Sequence, residues 1–367
     1  MSKPILDDVK NIKTVDKSNI INFCVNSAKL YREAAELAHK IKLDYPEPDN
    51  IIVAGMGGSG IGGDLLKDWA RNQLGMPIEV NREYELPGYA SKNTLVLLTS
   101  YSGDTEETLS SFLDALKRKC MIYCVSSGGA LLENAERLSV PYIRVPAGIP
   151  PRAALPYLFV PLLICMEKMG FVSNASEELS ECFRILKKIS IDNAPEKQTI
   201  ENFSKALALN IGQTSPIVYG FGFYRSVAMR FKQQFNENSK VPSKWEVFSE
   251  LNHNEIVGWE RAGELGKCFS AIFLRDSEEP TSIQSRIEIT RELMEQAGVG
   301  LLEVQAQGES RLARMLSTIC LGDFTSVYLA VLHGVDPTPV KTVNYLKEML
   351  MQNGVREKIL ADLRELC

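Results

Sequence analysis

Short apolar runs that stop at glycine or hydroxyl residues, alternating with amphipathic stretches, constrain this chain more than any other feature. Ile51-Ile-Val-Ala-Gly55 is the first of them. It is too short for a helix and apolar on both faces, which reads as a strand buried in a parallel sheet. Similar runs lie at 77–80, 94–99, 121–125 and 142–145, with helical patterns at 63–74, 105–117 and 130–138 between them. This alternation predicts an α/β fold with a doubly wound parallel sheet flanked by helices.

The pattern then restarts. A second strand–glycine turn, Pro216-Ile-Val-Tyr-Gly-Phe-Gly222, is followed by a helical pattern at 225–236, strands at 269–274 and 301–304, and helices at 282–297, 311–333 and 340–366. A chain of 367 residues with 45% hydrophobic content can fill two such cores. The expected division is an N-terminal helical segment at 1–48 and a first sheet domain at 49–172. A helical connection at 173–212 and a second sheet domain at 213–367, including the C-terminal helix, complete it. Between strands of the second domain, 238–259 reads as a long irregular link, and its Trp245, Phe248 and Trp259 favour order over disorder.

Several classes of function are disfavoured. The net charge is −5 and no dense Lys/Arg tract interrupts it, which argues against a nucleic-acid surface. Residues 1–17 lack the apolar core of a signal peptide. The most apolar stretch, 153–166, is shorter than the ~20 residues a bilayer helix needs and contains Pro156 and Pro161. It reads as a core helix, so no membrane partner is expected and the location expected is cytoplasmic. The eight cysteines are scattered, several in apolar runs, as for reduced buried thiols. Cys120 and Cys124 have no CxxC or nearby histidine beside them, so no metal is expected.

Two loops carry chemistry. Gly55-Met-Gly57-Gly58-Ser59-Gly60 fits G-x-G-x-x-G between strand and helix, and Glu79 and Glu83 lie near where a ribose-binding carboxylate would sit. A dinucleotide is therefore one reading of this loop. The loop after the next long strand weighs against it. Ser100-Tyr101-Ser102-Gly103-Asp104-Thr105 places three hydroxyls and a glycine at one helix start, where free N–H groups and the helix dipole attract an anion. A helix cap needs one hydroxyl; the surplus, with Ser59 on the neighbouring loop, suits a phosphate monoester. In the second domain the equivalent loop is Arg275-Asp-Ser-Glu-Glu-Pro280, acidic where the first is hydroxylic, so one phosphate site per chain is expected.

Taken together, Gly57 to Gly63, Ser100 to Thr108, Pro151-Arg152-Ala-Ala-Leu155, Asn236-Glu237-Asn238 and Glu250-Leu-Asn-His253-Asn254-Glu255 resemble the bifunctional phosphoglucose/phosphomannose isomerases, a family of tandem sugar-isomerase (SIS) domains. The resemblance runs from about Ile51 to the C-terminus. It implies that Ser100, Ser102 and Thr105 hold the substrate phosphate, that Gly58 and Ser59 line the sugar side, and that Arg152 meets the substrate. It further implies Glu237 as catalytic base and His253 as the ring-opening acid, the latter reaching in from the partner subunit of a homodimer. A family lysine matches Lys347 better than Lys341. No cofactor is implied, and the substrate is a small sugar phosphate of glycolysis, gluconeogenesis or related carbohydrate metabolism.

The residue types suit that chemistry. A carboxylate can move one proton between adjacent carbons of a planar cis-enediol(ate), with no redox cofactor. An arginine is a fixed positive charge for the developing enediolate, and imidazole titrates near neutrality. Two other readings stay open for the sequence alone: a sugar-phosphate sensor, which needs the phosphate loop but neither Glu237 nor His253, and a dinucleotide-dependent oxidoreductase.

Overall fold

A computed structural model of the chain describes residues 5–366. The first four residues of the expected N-terminal segment and Cys367 lie outside that range. The described chain divides into two compact units, one of residues 30–177 with 340–366 and the other of 5–29 with 178–339.

The first unit is built on five parallel strands, β1 (Asn50–Ala54), β2 (Ile78–Asn81), β3 (Thr94–Thr99), β4 (Met121–Ser126) and β5 (Tyr142–Arg144), in the order β2-β1-β3-β4-β5. Every residue of β3 and β4 is buried, which explains why these runs show no alternation in the sequence. One face packs on the helices Glu106–Lys117 and Gly129–Arg137. Ile359 and Leu363, from the helix Val355–Glu365, complete that core, and Arg137 donates to the Leu363 carbonyl at 2.7 Å. The C-terminal residues expected with the second domain thus pack on the first, because an amphipathic stripe records that a core is needed and not which one. They also form two helices rather than one, Lys341–Met351 and Val355–Glu365, separated at Gly354 in the left-handed region (φ +67°).

The apolar stretch expected as a core helix is the helix Leu155–Lys168, buried from Leu155 to Met166. It packs on the helix Gly57–Ala70. That helix starts six residues before the sequence pattern suggests, inside the glycine-rich loop. The glycines are there for contact: a Cβ on Gly63 would lie 2.8 Å from a Val53 methyl, and one on Gly60 would lie 2.4 Å from the Gly55 carbonyl.

The second unit has four parallel strands, β6 (Ser215–Phe221), β7 (Lys244–Phe248), β8 (Phe269–Arg275) and β9 (Gly300–Gln305), in the order β7-β6-β8-β9. The strand β7 lies in the stretch expected to be an irregular link. It is an edge strand, mostly half-buried, paired with β6 from Ile217–Lys244 to Phe221–Phe248. The long helix Arg311–Leu332 is apolar and long enough to span a membrane, yet 89% of that apolar window is buried in the structure. It packs on the helices Tyr224–Gln234 and Phe203–Ile211.

The segment before the second sheet is anchored through Asp7. Its carboxylate accepts from the Thr199 amide at 2.8 Å and hydroxyl at 2.6 Å, and lies 3.7 Å from the buried Lys205 ammonium. Lys205 donates to the Pro195 and Lys197 carbonyls at 2.8 and 2.6 Å, so its buried charge is compensated by acceptors. Seven cysteines are described, all free; Cys124, Cys165, Cys182 and Cys320 are buried, while Cys268 is exposed. Burial pushes the Cys165 and Cys320 thiols up to about 12.

Candidate active site

In the first sheet, β1 and β3 are neighbours and the chain leaves them toward opposite edges. Such a switch point opens a crevice beyond the carboxyl ends of the strands. After β1 comes the glycine turn that opens the helix Gly57–Ala70, with Gly58 and Ser59 in its first turn; the loop after β3 is Ser100–Thr105. Both flank this point, and they are bonded to each other. The Tyr101 amide donates to Ser59 Oγ at 3.1 Å, and Thr99 Oγ1 donates to the Ser59 carbonyl at 2.8 Å.

Within the hydroxyl loop after β3, Ser100 is buried and its Oγ lies 2.9 Å from Thr105 Oγ1 and accepts from the Gly103 amide at 3.1 Å. Thr105 is the N-cap of the helix Glu106–Lys117, yet its side chain does not cap that helix. The helix N-terminus therefore keeps its positive end available, with Ser102 exposed beside it. Gly103 sits at φ +76°, and a Cβ there would lie 1.8 Å from the Gly128 carbonyl, so only glycine closes this turn. Asp104 would oppose an anion, but Arg356 pairs with it at 2.5 Å.

Arg152 is 4% exposed and sits on a 3-10 turn, Pro151–Ala153, ahead of the apolar helix. The turn rests directly on the glycine loop: a Cβ on Gly58 would meet the Pro151 carbonyl at 3.0 Å and Arg152 Cα at 3.2 Å. Gly58, Ser59, the hydroxyl loop Ser100–Thr105 and the Arg152 turn are thus one cluster in one unit. Lys347 belongs to the same unit but is exposed, as is Lys341, on the helix Lys341–Met351, which buries no residue. The hydrogen bonds that assemble the cluster include neither lysine.

The second unit carries the other two expected residues. Glu237 is half-buried on a π-helical turn, Phe235–Ser239, that extends the helix Tyr224–Gln234. Single π turns recur at functional sites. The turn is pinned to the helix Arg311–Leu332: Asn238 Nδ2 donates to Ser326 Oγ at 2.9 Å and Ser239 Oγ to the Ser326 carbonyl at 2.7 Å. One turn earlier, Asp323 accepts from Arg230 and from Gln234, both at 2.9 Å. An acidic residue at a helix C-terminus opposes the dipole, and the compensation is Lys240, whose ammonium donates to the Glu237 carbonyl at 2.7 Å and to the Pro337 carbonyl at 2.8 Å. Sequence reasoning missed Lys240, although a basic residue three positions after Glu237 is a legible sign of such a cap.

His253 is exposed and ends the 3-10 turn Glu250–His253 after β7. Its neighbours fix the backbone. Asn252 donates to Thr290 Oγ1 at 2.9 Å and accepts from Arg286 at 3.3 Å, and Asn254 donates to Glu250 at 2.7 Å. The buried Tyr219 hydroxyl donates to Glu255. Burial raises the Glu255 carboxyl above its ordinary value, and Glu246 adds to the rise.

The switch point of the second sheet, between β6 and β8, is filled by the protein itself. Tyr224 donates to Asp276 at 2.5 Å, Arg314 pairs with Asp276 at 3.2 Å and with Glu278 at 2.5 Å, and Glu279 accepts from the Asp276 amide at 2.8 Å. Carboxylates already occupy the donors that an anion would use.

Residues 200–350 match the family model described as the bacterial phospho-glucose isomerase C-terminal SIS domain. A bifunctional phosphoglucose/phosphomannose isomerase from Caldicellulosiruptor bescii is 38% identical over 335 residues, covering 91% of this chain and 98% of that protein. One from Aquifex aeolicus is 34% identical over 305 residues, covering 83% and 91%. Among solved structures, a glucose-6-phosphate isomerase-like protein from Thermus thermophilus aligns with a TM-score of 0.61 at 20% identity, over 95% of this chain and 99% of that one. The C-terminal domain of glucosamine-fructose-6-phosphate aminotransferase from Francisella tularensis aligns at 0.66 with 14% identity, over 87% and 98%. The two structures share the fold of tandem parallel sheets. The sequence relatives, matched over nearly their whole length, carry the closer kinship: the chain belongs to the family of bifunctional phosphoglucose/phosphomannose isomerases.

Proposed function

We propose that this chain is an aldose–ketose isomerase that interconverts glucose 6-phosphate and mannose 6-phosphate with fructose 6-phosphate. The observation that carries the proposal is the cluster at the first switch point, where Ser59, the hydroxyls of Ser100, Ser102 and Thr105, an uncapped helix N-terminus and the Arg152 turn converge. The phosphate binds at Ser100, Ser102 and Thr105, and Gly58 and Ser59 contact the sugar. His253, supplied by the partner subunit of a cytoplasmic homodimer, protonates the ring oxygen as the bond from C1 to that oxygen breaks and the C1 hydroxyl releases its proton to water, which leaves the open-chain aldehyde. Glu237 takes the C2 proton and returns it to C1, while the C1 carbonyl oxygen gains a proton and the C2 hydroxyl gives one up, so that the aldehyde becomes a hydroxymethyl group and C2 a ketone. Arg152 faces the negative charge of the enediolate, and Lys347 adds positive charge to the same site.

Glucose and mannose 6-phosphates differ only at C2, which is planar in the enediolate. One intermediate therefore serves both, provided the site accepts either C2 configuration. The test is steady-state isomerisation of the two aldose phosphates under identical conditions, repeated with Glu237→Gln. Turnover of both, lost by at least ~10³-fold in the variant with fructose 6-phosphate binding retained, supports the reading. Wild-type turnover in Glu237→Gln sinks the base assignment, and binding without turnover in the wild type leaves a sensor.

A further inference from the structure

Tyr101 lies between two of the phosphate-loop serines, and its side chain points elsewhere. Its hydroxyl donates to the Pro146 carbonyl at 2.9 Å and accepts from the Ile149 amide at 2.7 Å. One phenol thus closes the segment Pro146-Ala-Gly-Ile149, which leads through Pro150 into the Pro151–Ala153 turn that carries Arg152. The segment contains Gly148 at φ +83° and no helix or strand of its own, so these two bonds replace the regular ladder that would otherwise fix it. The backbone of Tyr101 is tied as firmly. Its amide reaches Ser59 Oγ at 3.1 Å, and its carbonyl accepts from the Ser127 amide at 3.0 Å and Ser127 Oγ at 2.6 Å. The residue is 7% exposed.

Resting on the isomerase reading above, we infer that Tyr101 is a positioning residue: it sets the Arg152 guanidinium at a fixed place relative to the phosphate loop and so acts on the enediolate rather than on phosphate binding. The geometry has a direct consequence. The phosphate anchors one end of the substrate, and the charge that develops during proton transfer lies several bonds away. A donor must therefore be registered against the anchor to within a fraction of an ångström, since a misplacement of about 1 Å costs about 10²-fold in rate. Tyr101 makes that registration by belonging to the anchor through its backbone and to the arginine segment through its hydroxyl. Phenylalanine keeps the first role and loses the second, leaving the Pro146 carbonyl and the Ile149 amide without this partner.

The experiment uses the full-length enzyme and four forms: wild type, Tyr101→Phe, Arg152→Ala and the double variant. It measures kcat and KM for fructose 6-phosphate, inhibition by inorganic phosphate, and inhibition by a five-carbon sugar-acid phosphate whose carboxylate mimics the enediolate. In Tyr101→Phe, kcat should fall by about tenfold or more and the sugar-acid phosphate should bind correspondingly more weakly, with phosphate inhibition within about twofold of wild type. On the Arg152→Ala background the same change should cost less than about threefold, because the group through which it acts is gone. An equal loss on both backgrounds overturns the inference, as does a loss of phosphate inhibition in step with kcat, or a wild-type kcat in Tyr101→Phe. If Arg152→Ala itself turns over like wild type, the role of Arg152 in the isomerase reading fails and the inference falls with it, an outcome distinct from the others. Should Tyr101→Phe not fold, Ile149→Pro deletes the amide donor while keeping the phenol. A wild-type kcat in that variant counts against the inference equally.

Discussion

Lys240 offers a way to separate what the Glu237 turn needs for stability from what the proposed base needs for catalysis. Lys240 is not glycine, yet it adopts φ +55° at the end of the π turn, a left-handed conformation that costs an ordinary residue about 1 kcal/mol. What holds it there is its own ammonium, bonded to the Glu237 and Pro337 carbonyls at 2.7 and 2.8 Å, with the Asn238 carbonyl farther off at 3.4 Å. Two good bonds at a partly exposed site contribute about 1–2 kcal/mol together, less the entropy of ordering a lysine chain. Lys240→Met loses the bonds and keeps the backbone cost, so it should destabilise the second unit by about 1 kcal/mol. For a domain of this size that is a shift of roughly 2–4 °C in Tm. Lys240→Gly loses the same bonds but adopts the left-handed conformation freely, so its Tm should lie within about 2 °C of wild type. Both release the Glu237 carbonyl, and both should lower kcat by about tenfold with little change in KM. Thermal unfolding read beside steady-state isomerisation of fructose 6-phosphate separates the two effects. A Lys240→Gly enzyme that matches wild type in both Tm and kcat refutes the idea that the ammonium positions Glu237.

Two further outcomes test the packing around the second sheet. The Glu255 carboxyl is raised by burial, so the folded chain holds this proton to higher pH than the unfolded chain does. Its contribution to stability should therefore decline as pH rises from the ordinary glutamate value of about 4.3 through the raised one, and then level off. The difference in urea midpoint between wild type and Glu255→Gln, followed across that range, should show this slope; a difference that is flat or rises with pH contradicts the assignment. Gly322→Ala, in the helix Arg311–Leu332, would place a methyl 2.4–2.7 Å from the buried Phe231 ring. It should destabilise by about 1–3 kcal/mol, with partial recovery when Phe231→Leu is added. No recovery in the double variant would mean the crowding lies elsewhere.

What the sequence disclosed follows the range of the interactions. The strands of the first sheet are legible because burial on both faces writes them as unbroken apolar runs; the expected strand at 94–99 and β3 have the same bounds. The strand β7 is not legible, since Lys-Trp-Glu-Val-Phe is half-buried at a sheet edge and owes its conformation to β6, more than twenty residues away. The early start of the helix at Gly57 runs against the low helix propensity of glycine, and tertiary contact overrides it. At the site, the hydroxyls of Ser100, Ser102 and Thr105 could be read because they crowd one helix start. The roles of Tyr101, Lys240 and Ser326 could not, because each depends on a partner distant in sequence or on a backbone conformation that residue type does not announce.

The two switch points explain why a repeated fold need not repeat a site. In both sheets a tyrosine that follows one strand bonds to the loop that follows another: Tyr101 after β3 to the segment after β5, and Tyr224 after β6 to the loop after β8. In the first, Tyr101 bonds outward to the arginine segment, and the helix N-terminus beside it is left without a side-chain cap. In the second, Tyr224 bonds inward to Asp276, which also meets Arg314, and Arg275 is taken by Glu279, Glu288 and Glu303. Each of these two arginines already has a carboxylate, so an incoming phosphate would have to displace a bonded anion and would gain little for the exchange. The crevice that an open parallel sheet creates is therefore only an opportunity. What it can become depends on what the chain places there: the loop after β3 sets hydroxyls beside a helix N-terminus, whereas the loop after β8 sets carboxylates that already hold Arg275 and Arg314.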